Sequence, residues 1–497
     1  MKLLSAQQIQ QWDAFTIQHE PVSSIGLMER AANACVIWLL NNIANLRNIK
    51  IFCGKGNNGG DGLAVARLLI ENGFNVTVYI LDINAAGTND YQINLQQLRR
   101  LTNDVYFIRS QEFFPAIEKD DVVIDALFGS GLNRPLKDVS SELVQHINQS
   151  SSQIISIDVP AGMSIDKSSK ANSIIKAAHT LTFQSLKLCF LISENANYFG
   201  QVHTLDIQLH PQFLQNISVD FEMTDLQTIK KIFHPRNQFS HKGNYGHALL
   251  IAGNTYTMGA AIMAAGAALR TGVGLLTVNV PEKNFNALYA TYPEAMLMDR
   301  ENNLNSFEKF NALAIGCGLS VNADAQRILE ETLNNFLRPM IIDADALNII
   351  SGNKNLLNKI PNGSILTPHP KEFDRLFGIC ENDFERMNKA IELSLQNNFI
   401  IILKNHRTLI AHKGKGFFNT TGNAGLAKGG SGDTLTGMLA ALLAQGYNSL
   451  QASILGVYLH GLAADLSVQN QSQESLLATD VINNIGKAFN TIIELDD

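Results

Sequence analysis

The chain has 497 residues, 45% hydrophobic and 17% charged, with a formal net charge of −7 and five cysteines. Its length predicts two or three domains rather than one core. The composition is that of a soluble globular protein, and the acidic balance argues against a general nucleic-acid binder. Cys35, Cys53, Cys189, Cys317 and Cys380 are odd in number and form no C-x-x-C pair. Neither a zinc site nor a disulfide framework is expected, and reduced thiols point to the cytoplasm.

The opening M-K-L-L-S-A-Q-Q-I-Q-Q-W has glutamines where a signal peptide needs an apolar segment. The longest apolar run, Met258–Leu269, is too short to span a bilayer. A cytoplasmic protein with no membrane or nucleic-acid partner is expected. Residues 5–40 read as one or two helices. A strand over 49–53 runs into G-K-G-N-N-G-G-D-G, then a helix over 63–71 and a strand over 76–81, which is the pattern of an α/β domain with a parallel sheet. Gly54 to Gly59 match G-x-G-x-x-G, and Asp82 closes the next strand, so that rule alone points to a dinucleotide fold; the fingerprint is weak by itself. Asn57 and Asn58 are unusual there. Their carboxamides offer oxygens to a monovalent cation or donors to a ligand, although as a pair alone they read as a tight turn.

Two further strands carry the reading forward. The strand over 122–124 ends in Asp125, before A-L-F-G-S-G-L-N-R-P, and that over 154–157 ends in Asp158, before V-P-A-G-M. Ligand sites in open α/β sheets lie beyond the carboxyl ends of strands. One aspartate there is an ordinary cap; Asn58, Asp125 and Asp158 at three strand ends mark a site. With these motifs, roughly Met1–Leu209 resembles the NAD(P)H-hydrate epimerase domain. The resemblance implies a substrate pocket made by Asn57, Asn58, Gly59, Gly60 and Asp61 with Gly129, Ser130, Gly131, Leu132, Asn133, Arg134 and Pro135. It implies a potassium ion held by Asn58, Asp125 and the backbone of Ala161, where the family often has Ser or Thr, and it makes Asp158 the acid/base and substrate contact. Arg134 is placed to meet a phosphate or assist proton transfer, and is otherwise a surface arginine. Lys187, in T-F-Q-S-L-K-L, is a lesser candidate.

The domains expected are 1–215 and 235–497, joined by a linker over 216–234 that includes a polar helical segment, 225–233. Beyond it, H-K-G-N-Y-G leads to a strand over 248–252 and a helix over 258–271. Small residues such as Ala260 and Ala264 let that helix pack very closely. Strands over 312–315, 340–342, 364–366 and 399–403 deliver G-C-G-L-S, D-A-D-A-L-N, T-P-H-P-K-E-F and K-N-H-R-T to one rim. His369, between two prolines, is rigidly presented.

The most informative stretch is Asn419–Gly446, in which T-G-N-A-G-L-A and G-G-S-G-D-T-L-T-G precede an amphipathic helix with Leu435, Met438, Leu439, Leu442 and Leu443 at helical spacing. The amides of Gly429, Gly430, Ser431 and Gly432 converge at a helix start and form an anion hole for phosphate. Asp433 at its mouth is either a helix cap or a general base for a hydroxyl while the backbone holds a transferring phosphoryl group. This run resembles the carboxy-terminal signature of ribokinase-like folds and, more narrowly, the dehydratase domain of the NAD(P)H-hydrate repair enzymes. The resemblance implies that Ala260, Gly318, His369 and Asp433 meet the nicotinamide substrate. It gives Lys404, Asn405, His406, Arg407, Thr408 and Gly432 to the nucleotide, with Asn405 standing where the family has glycine. The roles of Lys187, Lys428 and Arg134 in chemistry stay open.

The whole predicts an α/β protein: a Rossmann-like three-layer domain followed by a ribokinase-like domain. One domain is expected to interconvert the R and S hydrates NADHX and NADPHX with K+, and the other to dehydrate the S form with ADP or ATP and Mg2+. A homo-oligomer is expected. The alternatives are a vitamin kinase acting on a hydroxymethyl pyrimidine or thiazole, and a first domain that only binds or scaffolds.

Overall fold

The computed structural model describes residues 1–83, 86–301 and 307–494. The chain forms two compact units, one over Lys2–Val219 and the other over Asp220–Glu381 and from Glu385 onward.

In the first unit seven strands, all parallel, lie in the order Val105–Ile108, Asn75–Leu81, Asn48–Cys53, Asp121–Ala126, Gln153–Ile157, His179–Phe183, Gln201–Leu205. Parallel strands are covered on both faces, and successive side chains alternate between two cores. Ile49, Ile51 and Cys53 join one core with residues of helices Ser24–Asn42 and Asn57–Glu71. Phe52, Val123 and Ile154 join the other, with Leu143, Val144 and Ile147 of helix Asp138–Gln149. Three layers result. The strand order reverses between Asn48–Cys53 and Asp121–Ala126, and such a switch point leaves a crevice where the following segments part.

The second unit's sheet contains, in order, Phe221–Thr224, Lys415–Asn419, Leu409–His412, Ile400–Leu403, Ile365–Leu366, Met340–Ile342, Ala312–Ile315, His247–Ile251, Leu275–Val280 and Met296–Asp299. The seven from Ile400–Leu403 to Met296–Asp299 are parallel, and Leu409–His412 is antiparallel to both its neighbours. Helices Met258–Arg270, Ser431–Ala444 and Ser449–Ser467 share one apolar core with Leu250, Val278 and Ile341. Two of these helices nearly touch: a Cβ placed on Gly437 would lie 2.0 Å from the Ala264 carbonyl oxygen. Only glycine permits that approach.

Two expectations change. The asparagine–glycine stretch read as a loop forms the first turn of helix Asn57–Glu71, because Gly56 takes the extended N-cap conformation and the chain turns helical directly after it. The stretch read as a linker contains strand Phe221–Thr224, which pairs in parallel with Lys415–Asn419; the helix expected beside it is present over Leu226–Ile232, capped by Asp225. Phe221 packs on Phe418 with ring centroids 6.0 Å apart; four residues of mixed polarity are too few to announce a strand by periodicity. No helix of the described residues is long and apolar enough to cross a membrane.

Candidate functional site

Each unit carries a cavity at the carboxyl ends of its strands. That of the first unit is about 660 Å3 and is lined by Asn57, Asn58, Asp61, the segment 127–134, Asp158 and Lys187. Asp158 follows strand Gln153–Ile157 with φ 68, a left-handed geometry that aspartate tolerates better than most residues. Its Oδ2 accepts the Ser130 N–H at 2.8 Å, and its Oδ1 lies 2.9 Å from Lys187 Nζ. Lys187 is 1% exposed and also donates to Thr182 Oγ1 at 2.5 Å. Burial pushes the Asp158 carboxyl up, but Lys187 and the Ser130 hydrogen bonds outweigh it and hold the group below the ordinary carboxylate value. A Cβ on Gly129 would sit 2.8 Å from Asp158 Oδ2 and 3.1 Å from Asn58 Oδ1, so the glycine lets both side chains approach the same backbone.

Asn58 has its carboxamide oxygen and nitrogen buried with no hydrogen-bond partner. Two such orphaned atoms are costly unless a ligand or ion meets them. Asp125 is fully buried and accepts from Leu127 N at 3.1 Å, Ser156 Oγ at 2.7 Å and Ala161 N at 2.9 Å, with burial raising its carboxyl to about 6 against those bonds. The Ala161 carbonyl already accepts the Ile175 N–H at 2.9 Å. Gly59, Gly60 and Pro135 do not line this cavity. Gly59 and Gly60 instead lie where a Cβ would strike Gly54 O at 1.8 Å and Met28 Sδ at 2.8 Å. Arg134 lines the cavity from an exposed position. Asp82 is held by Lys55 and Arg109, so it serves as an anchor beside the glycine-rich turn.

The second unit's cavity is about 690 Å3 and is lined by His369, Lys404, Asn405, His406, Thr408, the segments 421–424 and 426–429, Ser431, Gly432 and His460. Gly430, at φ 93, is the N-cap of helix Ser431–Ala444 and uses no side chain to cap it. Asp433 therefore occupies the first turn without capping it. Burial raises its carboxyl first, the Cys317 hydrogen bond lowers it, and Asp343 raises it again, for a net upward shift. Lys404 Nζ sits 2.9 Å from Asp343 Oδ1, and Thr436 Oγ1 donates to Asp343 Oδ2 at 2.8 Å. A Cβ on Gly432 would lie 3.4 Å from Lys404 Nζ, so the start of helix Ser431–Ala444 and the lysine face each other. Gly318, at φ 60, packs where a Cβ would meet Ala260 Cβ at 2.9 Å, which brings these two expected substrate contacts together. Arg407 is directed elsewhere: its guanidinium donates to the Thr420 carbonyl at 2.6 Å. Lys428 donates to the Glu474 carbonyl.

Sequence reasoning missed three groups and gave a fourth, Lys187, only lesser weight. Asp13 lines the first cavity from helix Ala6–His19. Lys187 was ranked low although it pairs with Asp158. Asp343 anchors Lys404, and the strand-end D-A-D-A was the signal for it. His460 lines the second cavity with Nε2 3.5 Å from Ser431 Oγ, and burial lowers its pKa to about 4, so the ring is neutral; a histidine inside an apolar helix gave no signal.

Residues 24–189 match the family described as YjeF-related protein N-terminus, and residues 248–487 match the one described as NAD(P)H-hydrate dehydratase. The chain is 33% identical over 492 residues to the bifunctional NAD(P)H-hydrate repair enzyme of Vibrio cholerae, covering 98% of each. It is 30% identical over 524 residues to that of Moorella thermoacetica, covering 99% of each. A ribokinase-like superfamily protein of known structure from Enterococcus faecalis matches with 31% identity and a TM-score of 0.50, over 56% of this chain and 98% of that one.

Proposed function

The chain belongs to the bifunctional NAD(P)H-hydrate repair enzymes, and we propose that its two units act in turn on one damaged coenzyme. The first interconverts the R and S hydrates; the second dehydrates the S form at the expense of ADP or ATP. The observation that carries this reading is the meeting, in the second unit, of an anion-binding helix start, a lysine fixed by Asp343 and the raised carboxyl of Asp433.

Hydroxide is a poor leaving group and phosphate a good one. Asp433 takes the proton from the C6 hydroxyl as that oxygen attacks the transferring phosphoryl group, whose charge is met by the Gly429–Gly432 amides and Lys404. The ring nitrogen lone pair then expels phosphate from C6, and loss of a proton from C5 to solvent closes the C5–C6 double bond and restores the reduced nicotinamide. A carboxyl with a raised pKa is suited to accept that proton near neutrality. Magnesium bound with the nucleotide would neutralise charge on its phosphates, and Asp343, whose Oδ2 lies 3.7 Å from where a Gly432 Cβ would stand, is the carboxylate that would help hold it, with Asp433 kept for the proton.

In the first unit Asp158 moves a proton as the ring adduct opens and recloses, and Asn57, Asn58, Asp61 and residues 129–134 hold the substrate. The orphaned Asn58 carboxamide fits a potassium ion, with Asp125 as its anionic partner. Ala161 contributes less, since its carbonyl already accepts a hydrogen bond. The ion would supply fixed positive charge next to the substrate. All five cysteines are unpaired and buried, which supports a reducing compartment such as the cytoplasm. A homo-oligomer belongs to the same reading, with sedimentation as its test. The vitamin-kinase alternative is not favoured, because the matched families cover both units.

The test offers the purified chain a mixture of NADH hydrates with ADP or ATP and magnesium, and follows the absorbance of reduced nicotinamide. Wild type consumes both epimers. Recovery of neither would overturn the reading.

A further inference from the structure

The first cavity holds a carboxyl with no assigned role. Asp13, on helix Ala6–His19, faces the same space as Asp158 and Lys187. We propose that Asp13 is the general acid of the epimerisation, working against Asp158 as the base. This rests on the epimerase reading above and adds a second proton carrier to it.

The chemistry needs two such groups. Opening the hydrate ring removes the proton of the C6 hydroxyl, turns the O–H pair into the second bond of a C6 aldehyde and breaks the C6–N1 bond. The electron pair of that bond goes to N1, which must take a proton. Asp158, held ionised by Lys187 at 2.9 Å, accepts the first proton; Asp13 gives the second. The aldehyde turns over, N1 adds to its other face and both protons return. Nothing is oxidised, and each carboxyl ends as it began.

The electrostatics match this division of labour. The titratable groups lining the cavity with Asp13 are Asp61, Asp158, Lys187 and Arg134. Burial first, and then the Asp158 charge, push the Asp13 carboxyl up to about 6, while Lys187 pulls the other way. Asp158 lies below the usual range. Two carboxyls in one cavity whose environments drive them apart are the usual mark of an acid and a base. Asp61 is a weaker candidate for the acid: burial first, then Asp158, Asp13 and Asp90, push its carboxyl well above the usual range, and an acid is most effective when its pKa is near the working pH.

The test uses the full chain with separated (R)-NADH hydrate and no nucleotide, following the S form by chromatography from about pH 5 to about pH 9. The expectation for Asp13→Asn is a kcat lower by roughly 100-fold with KM within about threefold. Wild-type kcat/KM should fall as pH rises past about 6, and Asp13→Asn should lose that fall. Asp13→Glu should restore most of the rate together with the alkaline fall, which a merely structural role would not do. Dehydration of separated (S)-hydrate by the same preparations should stay within about twofold of wild type. An Asp13→Asn chain that epimerises within about threefold of wild type overturns the proposal. So does a loss seen only in KM with the alkaline fall intact, or a fall abolished by Asp61→Asn instead. A wild-type chain without conversion sinks the epimerase reading and the proposal with it; conversion by wild type and Asp13→Asn alike sinks the proposal alone.

Discussion

The two units each set a lysine 2.9 Å from a buried aspartate, Lys187 on Asp158 and Lys404 on Asp343, but they spend the contact differently. In the first unit the paired carboxylate is itself the group offered to the cavity, and the lysine keeps it ionised. In the second the paired carboxylate anchors the lysine, and the group proposed to react, Asp433, is left with a raised pKa and the Cys317 thiol as its hydrogen-bond partner. On the proposed reading the same ion pair prepares a base in one place and a phosphate-facing cation in the other. An aspartate at a strand end is informative only once its partner is known.

The comparison can be broken most sharply by chemistry. Asp433→Ala should lower dehydration of the S hydrate by about 1,000-fold, within the usual range for a lost general base, and leave R-to-S conversion unchanged. If both activities fall together, the two sites are not separate. The mirror variant, Asp158→Asn, should lower R-to-S conversion by roughly 100-fold or more and spare dehydration; intact conversion would remove that residue from catalysis.

Stability sharpens the comparison. Lys187 is 1% exposed and Lys404 23%. Lys187→Met leaves a buried unpaired carboxylate and should destabilise its unit by about 3–5 kcal/mol. Lys404→Met, although it removes a partly exposed lysine, leaves Asp343 1% exposed and should cost a similar amount, about 3–5 kcal/mol. Urea unfolding followed separately for each unit checks both, and a loss under about 1 kcal/mol in either would deny that its aspartate is left buried and charged.

A smaller effect belongs to pH. His460 has its folded pKa lowered from 6.5 to about 4. The folded state therefore binds fewer protons than the unfolded one between those values. The stability this group contributes is complete above pH 6.5 and declines as pH falls towards 4. Between pH 6.5 and pH 5 the loss is on the order of 2 kcal/mol, and His460→Gln should flatten that part of the urea-midpoint profile.

Much of this was legible in the residues. The alternation of apolar strands with glycine-rich turns announced the α/β class, and strand ends announced Asn58 and Asp158 as cavity-lining residues, because the chain must leave a parallel sheet where ligands bind, whereas Asp125 does not line that cavity. The helix beginning at Asn57 was hidden by asparagine and glycine, which favour turns as readily as first helical turns. Asp13 and His460 were hidden because they sit inside helices far along the chain from the residues they meet. Lys187 shows the same limit from another side: a lysine that is almost wholly buried has no local signature, since its partner makes it possible.

The contact between Gly437 and the Ala264 carbonyl reaches further than its size suggests. Residue 437 lies between one and two turns below the amides that cradle phosphate, on the same rod. A methyl group there would act as a wedge under the far end of a lever, tilting the cradle off the reacting phosphorus while every residue around it kept its identity. The aim of the proposed phosphate cradle is therefore calibrated at a spot outside the lining of the cavity.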